Sequence, residues 1–214
     1  MIEKLVLIGA GGHAKSAIGV IEAGKEFTIH GLIDGAFPKG HDVLGYPVLG
    51  DNDVIAELSQ DKSIGFLIAV GQVNSPAVRM KLFSLLEEMQ AQIIEKVTAP
   101  SAFVSTHSTI GKGTLIMHHC IVNTSVRIGN NAILNNRCLV EHDATVGDHV
   151  HVSTGAIING GCNVGDRVFV GSGAVLVHGI SIASDVVIGA GAVVRISITK
   201  PGTYAGNPLR RIRS

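Results

Sequence analysis

The 214-residue sequence predicts two successive architectures, a small α/β domain over residues 1–97 and a prism of stacked β-strand coils over residues 98–214. Three observations support this prediction. An aliphatic residue stands at every sixth position from Val104 to Val194, a glycine recurs every eighteenth position from Gly111, and the first domain alternates short apolar runs with helical stretches. The first two observations describe a repeat, and the third describes a small parallel sheet with helices.

The first domain follows a strand–helix order. Ser75 and Pro76 favour a helix start there, because serine caps a helix and proline suits its first turn. Strand, helix and strand in succession argue for parallel pairing. The predicted strands cover residues 4–8, 27–33, 66–70 and 91–95, and the predicted helices cover residues 14–23 and 75–89.

The second domain repeats a six-residue unit. Two positions before most of the aliphatic residues stands a small one, such as Ala132 or Ala144. Residues two apart in a strand point to the same face, so this pair points inward and the rest of the unit turns a corner. Glycines at 111, 129, 147 and 165 mark every third unit, so three units form one coil. Glycine there suits a positive φ or a close backbone approach.

Composition narrows the function classes. Seventeen basic and seventeen acidic side chains cancel, which gives no support for nucleic-acid binding by bulk charge. The first residues lack a signal-peptide layout, and no apolar run approaches the length of a membrane span. We therefore expect a cytoplasmic protein without membrane insertion.

The cysteines and paired histidines do not form a metal motif. Cys120, Cys138 and Cys162 all occupy the small inward position of the repeat, so we expect buried, unreactive thiols. The pairs His118-His119 and His149-x-His151 supply no obvious set of four ligands, so no metal is expected.

The segment Gly9–Ala14 is a glycine-rich loop between the first strand and the first helix, and it satisfies GxGxxA. Asp34, at the end of the second strand, could bind a ribose hydroxyl. Fewer than 100 residues make only half of a doubly wound fold, however, so a nucleotide-sugar fits this loop as well as NAD does. The alternative interpretation is a tight turn with no ligand.

The repeat resembles that of the hexapeptide-repeat acyltransferases, whose unit reads aliphatic, glycine, two variable residues, small, variable. The similarity covers about residues 100–210, including the closing segment Tyr204–Arg210, and implies a left-handed parallel β-helix. With the Gly-Ala-Gly-Gly-His loop, nearly the whole chain resembles bacterial sugar acetyltransferases of the sialic-acid O-acetyltransferase and bacillosamine-pathway type. That resemblance implies a homotrimer, with a nucleotide-sugar in the first domain and acetyl-CoA at the seam between subunits.

By resemblance, the nucleotide-sugar contacts would come from Gly11, Gly12, His13, Asp34 and Gly71. Some relatives carry a second acidic residue directly after the one that matches Asp34, where this chain has Gly35. The uridine contacts therefore remain open at this stage.

The catalytic chemistry is predicted in the segment Val140–Ala144. His142 lies two residues past an inward aliphatic residue, at a corner where its side chain can project outward. An imidazole with a pKa near 6.5 is suited to accept the proton that an amine loses during attack on a thioester. Asp143 would orient the ring, and backbone N–H groups would stabilise the oxyanion. The alternative is an exposed corner histidine without a function.

The acetyl-CoA contacts are predicted at His151, Gly160 and Ser172. Gly160 lies one coil after His142, where the missing side chain would let an acyl group approach. His151 could instead be a surface histidine on a coil. Asn135 matches an asparagine that lies near the site in the bacillosamine branch, although a structural asparagine ladder is equally plausible.

The expected function is N-acetylation, by acetyl-CoA, of the amino group of a UDP-amino-deoxy-sugar, of the UDP-4-amino-4,6-dideoxy-N-acetylglucosamine type, in surface glycan biosynthesis. Two alternatives stay open at this stage. The acceptor could be a hydroxyl of sialic acid, of another sugar or of serine, or the chain could be a nucleotide-sugar-binding protein without catalysis.

Overall fold

The computed structural model describes residues 2–73 and 75–213. Its first sheet has the strand order β3-β4-β2-β1-β5 and is parallel except for the β3–β4 hairpin. The strands are β1 (Lys4–Ile8), β2 (Thr28–Ile33), β3 (Asp42–Val43), β4 (Tyr46–Gly50) and β5 (Ile64–Ile68), and the helices are α1 (Gly12–Gly24), α2 (Ile55–Leu58) and α3 (Ala77–Glu88), with a 3₁₀ turn at Asn52–Val54.

The predicted parallel α/β domain is confirmed, with β1, β2, β5, α1 and α3 close to their predicted bounds. The predicted strand over residues 91–95 is wrong, because it shrinks to one bridge between Phe66 and Ile93. Ser75 is not the N-cap, since the helix begins after Pro76, but its hydroxyl accepts the N–H of Ala77 at 3.2 Å.

The second domain is a left-handed β-helix with three faces, and the repeated strands within each face pair in parallel. The first face contains every third strand from β6 to β21 and ends with β23 and β24, the second runs from β7 to β22, and the third runs from β8 to β20. The strands are β6 (Lys96–Thr98), β7 (Phe103–Val104), β8 (Thr109–Ile110), β9 (Thr114–Ile116), β10 (Ile121–Val122), β11 (Arg127–Ile128), β12 (Ile133–Leu134), β13 (Leu139–Val140), β14 (Thr145–Val146), β15 (His151–Val152), β16 (Ile157–Ile158), β17 (Asn163–Val164), β18 (Phe169–Val170), β19 (Val175–Leu176), β20 (Ser181–Ile182), β21 (Val186–Ile188), β22 (Val193–Val194), β23 (Gly202–Ala205) and β24 (Arg210–Arg213).

The register between coils is eighteen residues, as the glycine spacing predicts. Val122 pairs with Val140, which pairs with Ile158. These inward aliphatic side chains are fully buried, and each such burial stabilises the fold by about 1.5–3 kcal/mol. The three cysteines are free and buried in the same core, which confirms their predicted structural position.

The glycine column is required by close approach between coils and not by a positive φ. A Cβ on Gly129 would lie 2.3 Å from the Asp148 Oδ1 atom and 2.7 Å from the Asp148 backbone nitrogen. The left-handed residue of each corner lies two positions later, at Asn131, His149 and Arg167, where φ is 52–60°. No helix among residues 2–73 and 75–213 is long and apolar enough to cross a bilayer.

Candidate active site

His142 lies at the corner that follows β13, with its side chain exposed. Its Nδ1 atom lies 2.8 Å from the Asp143 Oδ2 atom, so the two predicted catalytic side chains form a hydrogen-bonded pair. Asp143 has a φ of 60°, and this left-handed turn brings its carboxylate back to the preceding ring. Because the carboxylate engages Nδ1, the Nε2 atom is the one left for proton transfer.

The backbone of this corner is fixed by the preceding coil. Glu141 accepts a hydrogen bond from the Asn123 amide at 2.7 Å and another from the His142 N–H at 3.3 Å. The Asp143 N–H donates to the Thr124 carbonyl at 3.1 Å. The carboxylate of Glu141 therefore supports the backbone of the corner from the side of the preceding coil, and it does not hydrogen-bond the imidazole.

Gly160 lies one coil after His142 and directly beneath its ring. A Cβ at Gly160 would lie 2.7 Å from both the Cε1 and the Nε2 atoms of His142. The side-chain amide of the neighbouring Asn159 donates to the Leu176 carbonyl at 2.6 Å. Gly160 is buried, and its backbone N–H donates to no acceptor within residues 2–73 and 75–213. The Nε2 atom of His142 therefore lies against the backbone of Gly160, whose N–H group is free to donate a hydrogen bond.

His151 is buried between the two domains and is not a surface histidine. Its Nδ1 atom hydrogen-bonds the Gln72 carbonyl, and its Nε2 atom lies 3.2 Å from the Asn135 amide. The net pKa of His151 is lowered to about 4, because burial, the largest cause, and the nearby Arg79 guanidinium lower it more than the opposing hydrogen bond to Gln72 raises it. Ser172 is exposed, and its hydroxyl lies 2.9 Å from that of Ser153.

The glycine loop opens at the N-terminus of α1. Gly9 has a φ of 110° and packs against the backbone of Ala69 and Val70, directly after β5. It is therefore the glycine that the turn requires. Gly11 and Gly12 face open space, and Gly11 is an N-cap without any side-chain cap. Both oxygens of Asp34 accept backbone N–H groups, from Ala10 at 2.8 Å and Ala36 at 3.0 Å, so this carboxylate holds the loop in place.

His13 and Gly71 are in contact beside this loop. A Cβ at Gly71 would lie 3.4 Å from the His13 Cβ atom. Burial above all, together with the electrostatic effects of Arg79 and His151, lowers the pKa of His13 to about 4. The His13 Nε2 atom is buried without a hydrogen-bond partner among the described residues, as is the Gln72 Oε1 atom.

Arg79 joins the two domains and was not identified from the sequence. It is 1% exposed, and its guanidinium donates to the carbonyls of Ile68 and Val70 at 2.8 Å each and to Asn131 of the β-helix. Burial lowers its pKa to about 9, so it remains charged at neutral pH. An arginine on a helix is normally solvated, and no sequence pattern distinguishes this one.

Six of the ten predicted site residues fall into two groups, while Gly11, Gly12 and Asp34 lie at the loop that opens α1 and Ser172 lies apart on another corner of the β-helix. The pair at the corner, with Gly160, forms one cluster on the β-helix, whereas His13, Gly71 and His151 meet at the seam between the domains. Across the part of the chain that the structure describes, no group of three or more His, Cys, Asp or Glu side chains could hold a metal ion.

A left-handed β-helix of hexapeptide units, preceded by a small α/β domain, defines a class of acyltransferases. The model of the PglD N-terminal domain matches residues 4–86, and that of the bacterial transferase hexapeptide matches residues 161–195. No curated protein matches the chain.

Solved structures match over almost the whole chain. PerB from Caulobacter crescentus, in complex with CoA and GDP-perosamine, is 30% identical with a TM-score of 0.89, covering 99% of this chain and 98% of that one. A variant of perosamine N-acetyltransferase from the same organism, with a histidine replaced by asparagine and in complex with CoA and GDP-perosamine, is 29% identical with a TM-score of 0.91, covering 100% and 99%. The acetyltransferase domain of PglB from Neisseria gonorrhoeae, with acetyl coenzyme A, is 28% identical with a TM-score of 0.91, covering 99% and 100%. The chain belongs to the hexapeptide-repeat sugar N-acetyltransferases.

Proposed function

We propose that the protein transfers the acetyl group of acetyl-CoA to the amino group of a nucleotide-linked amino-deoxy-sugar, with His142 as the general base. The observation that supports this best is the position of the His142 Nε2 atom over the backbone of Gly160. The amino-sugar acceptor is also supported by the similar structures, which include a perosamine N-acetyltransferase with bound GDP-perosamine.

In the proposed reaction, His142 takes a proton through Nε2 while the amine nitrogen attacks the thioester carbon. Asp143 accepts the hydrogen bond from Nδ1, which fixes the ring and stabilises the imidazolium that forms. The Gly160 N–H is the proposed donor to the oxyanion, since it lies beneath the ring and has no other partner among the described residues. The imidazolium then releases its proton to the departing thiolate.

The proposed nucleotide-sugar site is the loop at the N-terminus of α1. Gly11 and Gly12 leave this end of the helix open, which suits a diphosphate. His13 and Gly71, which are in contact beside this loop, would border the sugar. Asp34 would act indirectly, because both of its oxygens already hold the loop.

The nucleotide has two candidates. The resemblance to the bacillosamine branch favours a UDP-linked 4-amino-4,6-dideoxy sugar, whereas the GDP-perosamine complexes of the similar Caulobacter structures favour a GDP-linked one. Titration calorimetry with UDP and with GDP separates the two candidates directly, because only the correct base should give tight binding.

The proposed acetyl-CoA contacts differ in kind. Gly160 would touch the acyl group through its backbone, and the exposed Ser172 lies on a corner where the coenzyme can reach it. His151 is buried, so its proposed role is to hold Asn135 and the loop at Gln72 in place.

A homotrimer is proposed because the second face of the β-helix presents an apolar row to solvent. Phe103 and Ile121 are 58% and 43% exposed, and contiguous exposed apolar residues mark association surfaces. The row lies directly before the corner of His142, so a neighbouring subunit would border the site. Ile121→Lys should dissociate the trimer and lower activity, as measured by sedimentation and turnover. The outward residues of this face are Phe103, Ile121, Leu139, Ile157, Val175 and Val193.

The test is an acceptor panel. The protein is incubated with acetyl-CoA and, separately, UDP-linked and GDP-linked 4-amino-sugars, sialic acid and serine, and free thiol and product mass are followed. We expect N-acetylation of one nucleotide-linked amino-sugar by the wild type, and a loss of about 10²- to 10⁴-fold in His142→Ala. Acetylation of a hydroxyl would replace the proposed acceptor, and nucleotide binding without thiol release would favour a non-catalytic role.

A further inference from the structure

His178 occupies the same corner as His142, two coils later, and is exposed. Only Gly160 stands between them in this column. Because Gly160 has no side chain, the two imidazole rings approach to 6.3 Å between centroids, with their planes tilted by 45°. A side chain at position 160 would separate them.

Both rings converge on the same backbone dipeptide. A Cβ at Gly160 would lie 2.7 Å from the His142 Nε2 atom, and a Cβ at Gly161 would lie 3.7 Å from the His178 Cε1 atom and 4.0 Å from its Nε2 atom. The two glycines therefore form the floor of a slot whose walls are imidazoles. Whatever reacts at the Nε2 atom of His142 must lie next to His178.

The direction of the coenzyme decides which atom meets His178. The later coils and the tail carry the basic side chains of Arg195, Arg210 and Arg211, which suit phosphates. The coils before His142 present Thr124 at the same corner, and their basic side chains, such as Lys112, Arg127 and Arg137, are spread over different faces and corners of the prism. A coenzyme whose phosphates lie toward the C-terminal coils has its sulfur on the side of His178.

Resting on the proposed function, we propose that His178 is a second catalytic residue, whose imidazole N–H donates a hydrogen bond to the sulfur of the departing thiolate. The amine lone pair forms the C–N bond, and the electrons of the C–S bond go to sulfur. The amine proton passes to the His142 Nε2 atom and from there to the thiolate. His178 stabilises the negative sulfur and neither gains nor loses a proton overall.

The experiment compares His178→Ala, His178→Gln and the matched control His107→Ala, another exposed corner histidine. A hydrogen bond to a charged group is worth a factor of about 10–100 in rate. We expect kcat to fall by about this factor in His178→Ala and to recover in part in His178→Gln, which keeps a donor. The control should retain wild-type kcat, and the KM for the nucleotide-sugar should not change in any of the three.

A second measurement follows the bound product directly. The ultraviolet absorbance of the thiolate reports the pKa of the coenzyme A thiol on the protein, and this pKa should be lower on the wild type than on His178→Ala. An unchanged thiol pKa together with wild-type kcat in His178→Ala would overturn this role while His142→Ala still loses activity. Full activity in His142→Ala would instead contradict the proposed function itself.

Discussion

Adding a single methyl group at Gly160 tests the geometry of the site without removing any functional side chain. The new Cβ would lie 2.7 Å from the Cε1 and Nε2 atoms of His142, well inside van der Waals contact, so the ring must move away by about 1 Å or rotate. The φ of Gly160 is not in the left-handed region, so alanine fits the backbone. The clash is with an exposed side chain that can move, and folding should therefore be little affected.

We expect kcat of Gly160→Ala to fall by at least about 10²-fold, because a displacement of this size in a catalytic group costs about that much. The melting temperature should stay close to that of the wild type. The matched control is Gly19→Ala in α1, where the added Cβ meets nothing within 4 Å. Steady-state turnover and calorimetry measure both quantities. Wild-type kcat in a correctly folded Gly160→Ala would refute the placement of the base above this glycine.

Three further predictions concern the His142–Asp143 pair, the interface between the two domains and the contact between successive coils of the β-helix. Asp143→Asn suits the left-handed φ of 60° and should fold normally, yet lower kcat by at least about tenfold by losing the carboxylate behind the imidazole; an unchanged kcat would exclude Asp143. His13 and His151 have pKa values of about 4 in the folded protein, below the usual 6.5, so the unfolded chain binds more protons between these pH values. The free energy of unfolding should therefore fall as the pH drops from about 6.5 to 4, by up to about 3 kcal/mol for each histidine. Urea titrations at several pH values measure this, and a free energy of unfolding that does not change over this range would contradict it. Gly129→Ala places a Cβ against the next coil's backbone and should destabilise by about 1–3 kcal/mol in urea unfolding, unlike Gly19→Ala.

The β-helix could be predicted almost entirely from the sequence because its contacts are periodic. Each inward aliphatic residue meets its equivalent eighteen positions away, so one spacing specifies all the pairings. The same spacing predicts that Gly160 lies next to His142 on the following coil, as it does. The left-handed corner residues were missed, since Asn131, His149 and Arg167 share a backbone conformation but no side-chain type.

The first domain was predicted less completely because its pairings are not periodic. The hairpin of β3 and β4 lies between two turns, with glycines and a proline in short segments that carry no alternating pattern. The seam between the domains escaped prediction for a different reason. The burial of Arg79 depends on contacts 52 residues apart with Asn131, and that of His151 depends on Gln72, which is 79 residues away.

The central claim, that an imidazole over a bare glycine backbone transfers an acetyl group to a sugar amine, is tested most directly by the product formed with and without His142. The measurement is mass spectrometry with tandem fragmentation of the products made from acetyl-CoA and nucleotide-linked 4-amino-sugars by the wild type and by His142→Ala. We predict an acetamido sugar nucleotide from the wild type and a loss of about 10²- to 10⁴-fold in its rate of formation in the variant. An acetyl ester in place of the amide, or equal rates from the two proteins, would contradict the account.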